Sequence, residues 1–164
     1  MVNILFVCLG NICRSPMAEA VMRHLINEQG LDGKVSIDSA GTGGWHIGKP
    51  PHEGTCEILD RYHISYEGQK ARQLVTEDLT DFDYIIGMDN ENIGNIRRLA
   101  GYNQTGKIVR LLDYLEDHPI TDVPDPYYTG NFDEVYEMIS KSCENLLSEI
   151  KEIHNLNGGN RYEK

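Results

Sequence analysis

The chain has 164 residues, 40% of them apolar, which suits a single globular domain whose core needs neither disulfides nor a structural metal. Its 26 acidic residues against 15 Lys plus Arg give a formal charge of −11, which argues against a protein that coats nucleic acid or inserts into an anionic membrane. Charge is uneven: residues 111–140 hold eight carboxylates and no Lys or Arg, whereas residues 1–30 balance Arg14 and Arg23 against Glu19 and Glu28.

Val2 to Val7 is a short, branched apolar run closed by a glycine turn, the pattern of a fully buried parallel strand. Pro16 suits a first helical turn behind Ser15 as a cap, and Ala18, Val21, Met22, Leu25 and Ile26 recur at helical spacing until Gly30. Further strands are predicted over Lys34 to Ser39, Tyr84 to Met88 and Lys107 to Leu111. Helices are predicted over about His52 to Tyr62, Thr76 to Leu79, Asn90 to Leu99, and Asp133 to about His154. Strands alternating with helices predict an α/β domain over 1–154, a parallel sheet covered on both faces, and the Asn- and Gly-rich residues 155–164 predict a disordered tail. The early apolar run stops at Gly10 without a cationic lead-in, so no signal peptide or membrane span is expected and the location expected is cytoplasmic. Cys8, Cys13, Cys56 and Cys143 lack zinc spacing and are too scattered for a disulfide scaffold; no metal is expected, and the thiols are expected to be reduced.

The loop after the first strand carries the chemistry. It reads Cys8-Leu9-Gly10-Asn11-Ile12-Cys13-Arg14-Ser15 and runs into a helix at Pro16. Ligands of open α/β sheets bind beyond the carboxyl ends of strands, and converging amides that end at a helix N-terminus form a nest for a dianion such as phosphate. Such a field also favours a thiolate, cysteine pKa values falling from about 8.5 to roughly 3.5–7.5 in these settings. Cys8 is thereby a candidate nucleophile toward phosphorus. Arg14 can return over the loop and grip two phosphoryl oxygens, and Ser15 can donate its hydroxyl to the sulfur. A purely structural Arg14 is unattractive, because a cation at a helix N-terminus opposes the macrodipole unless an anion lies between them. Gly10 and Asn11 are expected to supply the unusual backbone angles of the cradle.

V-C-L-G-N-I-C-R-S-P near the N-terminus, followed by Asp38-Ser39-Ala40-Gly41-Thr42, Ala71-Arg72-Gln73, Tyr84-Ile85-Ile86-Gly87-Met88-Asp89 and Asp125-Pro126-Tyr127-Tyr128, resembles the low-molecular-weight protein tyrosine phosphatases. The resemblance implies a single-domain, Rossmann-like three-layer sandwich with a central four-stranded parallel sheet. It implies hydrolysis of phosphotyrosine in proteins through a phosphocysteine intermediate, without a cofactor, and competitive inhibition by phosphate or another oxyanion. Asp125 takes the role of general acid, then general base; Pro124 and Pro126 fix its backbone and bias it away from helix. Trp45, Tyr127 and Tyr128 are implied as walls of a slot that, with Leu9 and Ile12, selects an aryl ring. Asn11 and Ser39 are implied to brace the loop by side-chain hydrogen bonds. The family commonly has a His in that network where this chain has Gln69, which hydrogen-bonds but does not titrate near neutrality. Cys13 is implied as a partner that traps oxidised Cys8 as a disulfide, with packing an equal alternative.

The nearest rival keeps the fold and takes phosphoarginine; family members of that kind tend to carry a small β-branched polar residue at Ile12 and a different pair at Tyr127-Tyr128. Thiol-linked arsenate reduction needs an additional redox pair in relay with Cys8, an arrangement that Cys56 and Cys143 lack. A non-catalytic phosphotyrosine-binding module would need neither Cys8 nor Asp125. The acidic stretch around Asp125 is expected to disfavour strongly acidic phosphopeptides.

Overall fold

The computed structural model describes residues 1–116 and 118–156. Four strands, β1 (Val2–Cys8), β2 (Val35–Gly41), β3 (Tyr84–Gly87) and β4 (Lys107–Arg110), form one sheet in the order β2-β1-β3-β4. All three pairings are parallel. The connecting helices are α1 (Arg14–Glu28), α2 (Glu53–Arg61), α3 (Asp78–Asp81), α4 (Asn90–Ala100), α5 (Pro126–Thr129) and α6 (Phe132–Ile153).

Strand period explains the layers. Ile4, Phe6 and Cys8 of β1 share a core with Met17, Met22, Leu59, Leu146 and Ile150 from α1, α2 and α6. Leu5 and Val7, pointing the other way, pack with Ile85, Leu79, Ile96 and Ala100 from β3, α3 and α4. β1 is covered on both faces, so its run of apolar residues has no polar alternation. Full burial of side chains such as Leu5 and Phe6 stabilises the fold by about 1.5–3 kcal/mol each.

The chain leaves β1 for β2 on one side, then crosses back to place β3 on the other. The crevice between the carboxyl ends of β1 and β3 is therefore a topological switch point, where open α/β sheets bind ligands.

Boundaries move by a residue or two from expectation. β2 starts at Val35 and runs on to Gly41, α3 starts at Asp78, and α6 starts at Phe132 behind an Asn131 cap. A 3-10 turn at Leu111–Tyr114 and the short α5 were not anticipated. Ser15 is not the cap of α1: the cap position is Cys13, and Ser15 lies inside the first turn with its hydroxyl on Cys8. Gly30 does close α1, in the left-handed conformation (φ 69°). Of the predicted tail, Leu156 packs against the core and donates its N–H to the Lys151 carbonyl (2.7 Å). Residues 157–164 lie outside the described residues.

Candidate active site

β1 ends at Cys8 and α1 begins at Arg14, so five residues must turn the chain between a strand and a helix. Asn11 takes the left-handed conformation there (φ 59°), which Asn tolerates better than most side chains. Gly10, expected to do the same, does not have a positive φ. Its missing side chain serves proximity instead, since a Cβ would come within 2.9 Å of the His46 ring. Gly41 at the end of β2 is needed for a similar reason: a Cβ would meet the Leu9 oxygen at 2.9 Å and the Asn11 nitrogen at 3.1 Å. Main-chain bonds tie the loop outward, from Thr42 N–H to the Cys8 carbonyl, Gly43 N–H to Leu9 and His52 N–H to Ile12.

Cys8 Sγ accepts the Asn11 N–H (3.3 Å) and lies 3.0 Å from Ser15 Oγ. The Asn11 amide donates to Ser15 Oγ (2.8 Å) and to Ser39 Oγ (3.0 Å), and its carbonyl accepts the Arg72 N–H (2.9 Å). Because Ser15 Oγ already accepts from Asn11, its own hydrogen is left to point at the sulfur. Ser39 is arranged in the same way, accepting from Asn11 and donating to buried Glu19 (2.6 Å), which Arg23 pairs at 2.8 Å. Both hydrogen bonds at Cys8 thus leave the sulfur as acceptor.

Gln69 does not join this chain of bonds. Its amide donates to the Pro16 carbonyl (3.2 Å), and its buried Oε1 has no partner among the described residues. Asn11 is the hub. Asn11→Ala removes three hydrogen bonds and puts Ala in a left-handed position; with about 1–3 kcal/mol for a buried polar group left unpaired, we expect at least about 3 kcal/mol less stability in urea unfolding.

Arg14 is 2% exposed. Its Nη1 donates to Asp89 (2.7 Å) and to the Val123 carbonyl (2.9 Å), and Nη2 lies 3.4 Å from Asp125 Oδ2. Burial works against the cation, but the Cys8 sulfur and the Asp89 and Asp125 carboxylates outweigh it and raise the pKa above the usual guanidinium value. With both Nη1 hydrogens used, the fork edge left for a ligand is Nε and Nη2. Nε is buried without a hydrogen-bond partner among the described residues, as suits a donor kept for an anion.

Asp125 has extended backbone (φ −88°, ψ 108°), as its flanking prolines predict, but is held by more than them. It caps α5, with Oδ1 accepting the Tyr127 N–H (3.1 Å), and Pro126 occupies the first helical position. One carboxyl oxygen is anchored and the other faces Arg14.

Cys8, Leu9, Gly10, Ile12, Cys13, Trp45, His46, Asp125, Tyr127 and Tyr128 line a single pocket of about 310 Å³. Sequence reasoning named all of these but His46. Tyr127 sits among rings, 5.2 Å from Tyr128, 5.8 Å from His52 and 6.2 Å from His46. Trp45 (69% exposed) and Tyr128 (74%) stand at the mouth rather than deep in a slot. Burial, with the Cys8 and Asp125 charges adding, pushes the Cys13 thiol up to about 12, so it stays protonated beside the loop sulfur.

Sequence reasoning also gave no role to Asp89, the Val123 carbonyl or Glu19. The signal for Asp89 was its place beyond the carboxyl end of β3, across the switch point from Arg14. For Glu19 it was an acid on the buried face of α1, one turn beyond Ser15.

The low molecular weight phosphotyrosine protein phosphatase family matches residues 3–156. The chain is 62% identical over 151 residues to a low molecular weight protein-tyrosine-phosphatase of Bacillus subtilis, YfkJ, covering 92% of this chain and 97% of the relative. It is 47% identical to the PtpA protein-tyrosine-phosphatase of Staphylococcus epidermidis, covering 95% and 98%. The YfkJ crystal structure superposes with a TM-score of 0.91 over 93% of this chain and 96% of that one. A Drosophila arginine phosphatase, 34% identical, superposes with a TM-score of 0.84 over 90% and 97%. Matched over nearly its whole length, the chain belongs to the low-molecular-weight phosphotyrosine protein phosphatases.

Proposed function

We propose that this protein hydrolyses phosphotyrosine in proteins, with Cys8 as nucleophile, Arg14 as phosphate clamp and Asp125 as proton donor and acceptor. One observation carries the reading: Cys8 and Asp125 face the same aromatic-mouthed pocket while Arg14, behind the loop, keeps its Nε without a partner among the described residues. A binding module needs the clamp but neither of the other two.

Cys8 sulfur attacks phosphorus as the aryl oxygen departs and takes the proton of Asp125, so an S–P bond forms and the P–O bond breaks. Asp125 then takes a proton from water, whose oxygen attacks phosphorus; the S–P bond breaks, and phosphate leaves with the thiolate restored. Ser15 and the Asn11 N–H stabilise sulfur both as nucleophile and as leaving group.

Ile12 and Leu9 present apolar walls, and Tyr127 and Trp45 present rings, so a flat aryl group is better matched than a charged guanidinium stem. The test runs a chromogenic aryl phosphate and phosphoarginine side by side. We expect aryl phosphate to be preferred in kcat/KM by about 10²-fold or more, the discrimination of a few kcal/mol expected from a mismatched polar group. The reverse order would move the assignment to arginine phosphatase. Inorganic phosphate, the product, occupies the same clamp and is expected to raise KM without lowering kcat; a fall in kcat at constant KM would place the anion elsewhere.

A further inference from the structure

Beside the catalytic pocket lies a larger depression, about 580 Å³, that the chemistry at Cys8 does not use. Leu9 and Trp45 line both, so Trp45 is a shared wall. Its ring packs against Gly43, where a Cβ would come within 1.8 Å of it. The opposite wall is one face of α4, where Glu91, Asn95, Arg98 and Leu99 follow at helical spacing.

Three features mark this groove as a place for a polypeptide. Arg98 bonds only to Asn95 (2.5 Å) and has no carboxylate within 4.0 Å among the described residues, whereas Arg14, Arg61, Arg72 and Arg110 are all ion-paired. Leu99 is left partly exposed next to it, and Thr42, another lining residue, has a buried Oγ1 with no hydrogen-bond partner among the described residues.

We infer that the groove takes the stretch of substrate chain adjoining the phosphotyrosine, with an acidic side chain of that stretch on Arg98. The inference rests on the phosphatase reading above. Continuity with the pocket through Trp45 supplies the connection, and length supplies the scale. Glu91 to Arg98 spans about 10 Å at 1.5 Å per residue, the reach of about three residues of extended chain. Charge supplies the direction. The N-terminal end of α4 is acidic, with Glu91 there and Asp122 accepting the Asn90 N–H, and its last turn carries Arg97 and Arg98. An acid close to the phosphotyrosine is repelled, and one about three residues further along is received. This refines the general aversion to acidic peptides expected from sequence into a positional preference.

The test uses the full chain and phosphotyrosine peptides in which Glu or Lys is walked through each flanking position. Wild type is expected to favour Glu over Lys on one side only, several residues out. Arg98→Glu is expected to lower that Glu-to-Lys ratio in kcat/KM by about fivefold or more, since it replaces an exposed attraction with a repulsion. The ratio is independent of how much variant is folded. Aryl phosphate, which does not reach the groove, reports separately on the phosphatase reading: if wild type fails to hydrolyse it, that reading falls. Turnover of aryl phosphate with an unchanged peptide ratio in Arg98→Glu would overturn the groove assignment alone. So would an unchanged ratio with altered sedimentation, which would make the groove an interface between copies of the chain.

Discussion

Cys8→Ser is expected to bring turnover of a chromogenic aryl phosphate down to the uncatalysed rate while leaving binding of a phosphotyrosine peptide within about threefold. The surroundings of Cys8 explain why oxygen is no substitute. Both groups that contact the sulfur, the Asn11 N–H and the Ser15 hydroxyl, act as donors. Neither of these two groups is a base, since an amide N–H has no lone pair to offer and Ser15 Oγ already accepts from Asn11, so a serine nucleophile would lack a hydrogen-bonded proton acceptor. The loop offers hydrogen-bond donors to the atom at position 8, and a hydroxyl there keeps its proton. The phosphate clamp is untouched, because Arg14 is held by Asp89 and the Val123 carbonyl rather than by residue 8. Steady-state rates with the chromogenic substrate and titration with a labelled peptide measure the two halves. A Cys8→Ser rate within tenfold of wild type would remove Cys8 as nucleophile.

Asp125→Asn is expected to slow hydrolysis by about 10²–10⁴-fold, the range for loss of a positioned general acid. Asn is more informative than Ala here. It keeps a side-chain oxygen to cap α5 through the Tyr127 N–H, so the loop and the tyrosines stay in place while the transferable proton is lost. Asp125→Ala should fall in the same range, plus about 0.5–2 kcal/mol of stability for the missing cap. Leaving groups distinguish chemistry from damage to the fold. A more acidic phenol departs with less need of a proton, so the deficit in Asp125→Asn should shrink steeply as phenol pKa falls. A deficit constant across phenols would rule out proton donation by Asp125.

Much of this arrangement was legible in sequence because it is local. Cys8, Asn11, Arg14 and Ser15 are within eight residues of one another, and the strand, glycine turn and helix around them carry clear periodic signals. Asp125 announced itself through two flanking prolines, and the structure adds a capping bond that composition alone does not specify. What was less legible is long-range. Asp89 and Val123 hold Arg14 from 75 and 109 residues away, and their part depends on β3 crossing to the far side of β1. Gly10 and Gln69 differ from expectation for a related reason. Sequence shows the conformational or hydrogen-bonding capacity of each, whereas His46 and the Pro16 carbonyl, brought up by folding, decide what each does. Ser15 illustrates the converse: its position suits a cap, but a sulfur 3.0 Å away claims the hydroxyl.

The strand order β2-β1-β3-β4 also sets a schedule for synthesis. Of the described strands the one that comes first in the chain, β1, is a central one, so Cys8 is synthesised before either neighbour of its strand. Along the chain the thiol comes at residue 8, β2 is complete by residue 41, the Asp89 brace follows β3, and Asp125 comes only at residue 125. The helix α6, which covers one face of the core, follows all the other described elements. A chain stopped before β3 therefore carries the Cys8 loop without Asp89 and Asp125, the two carboxylates that meet Arg14 in the complete fold.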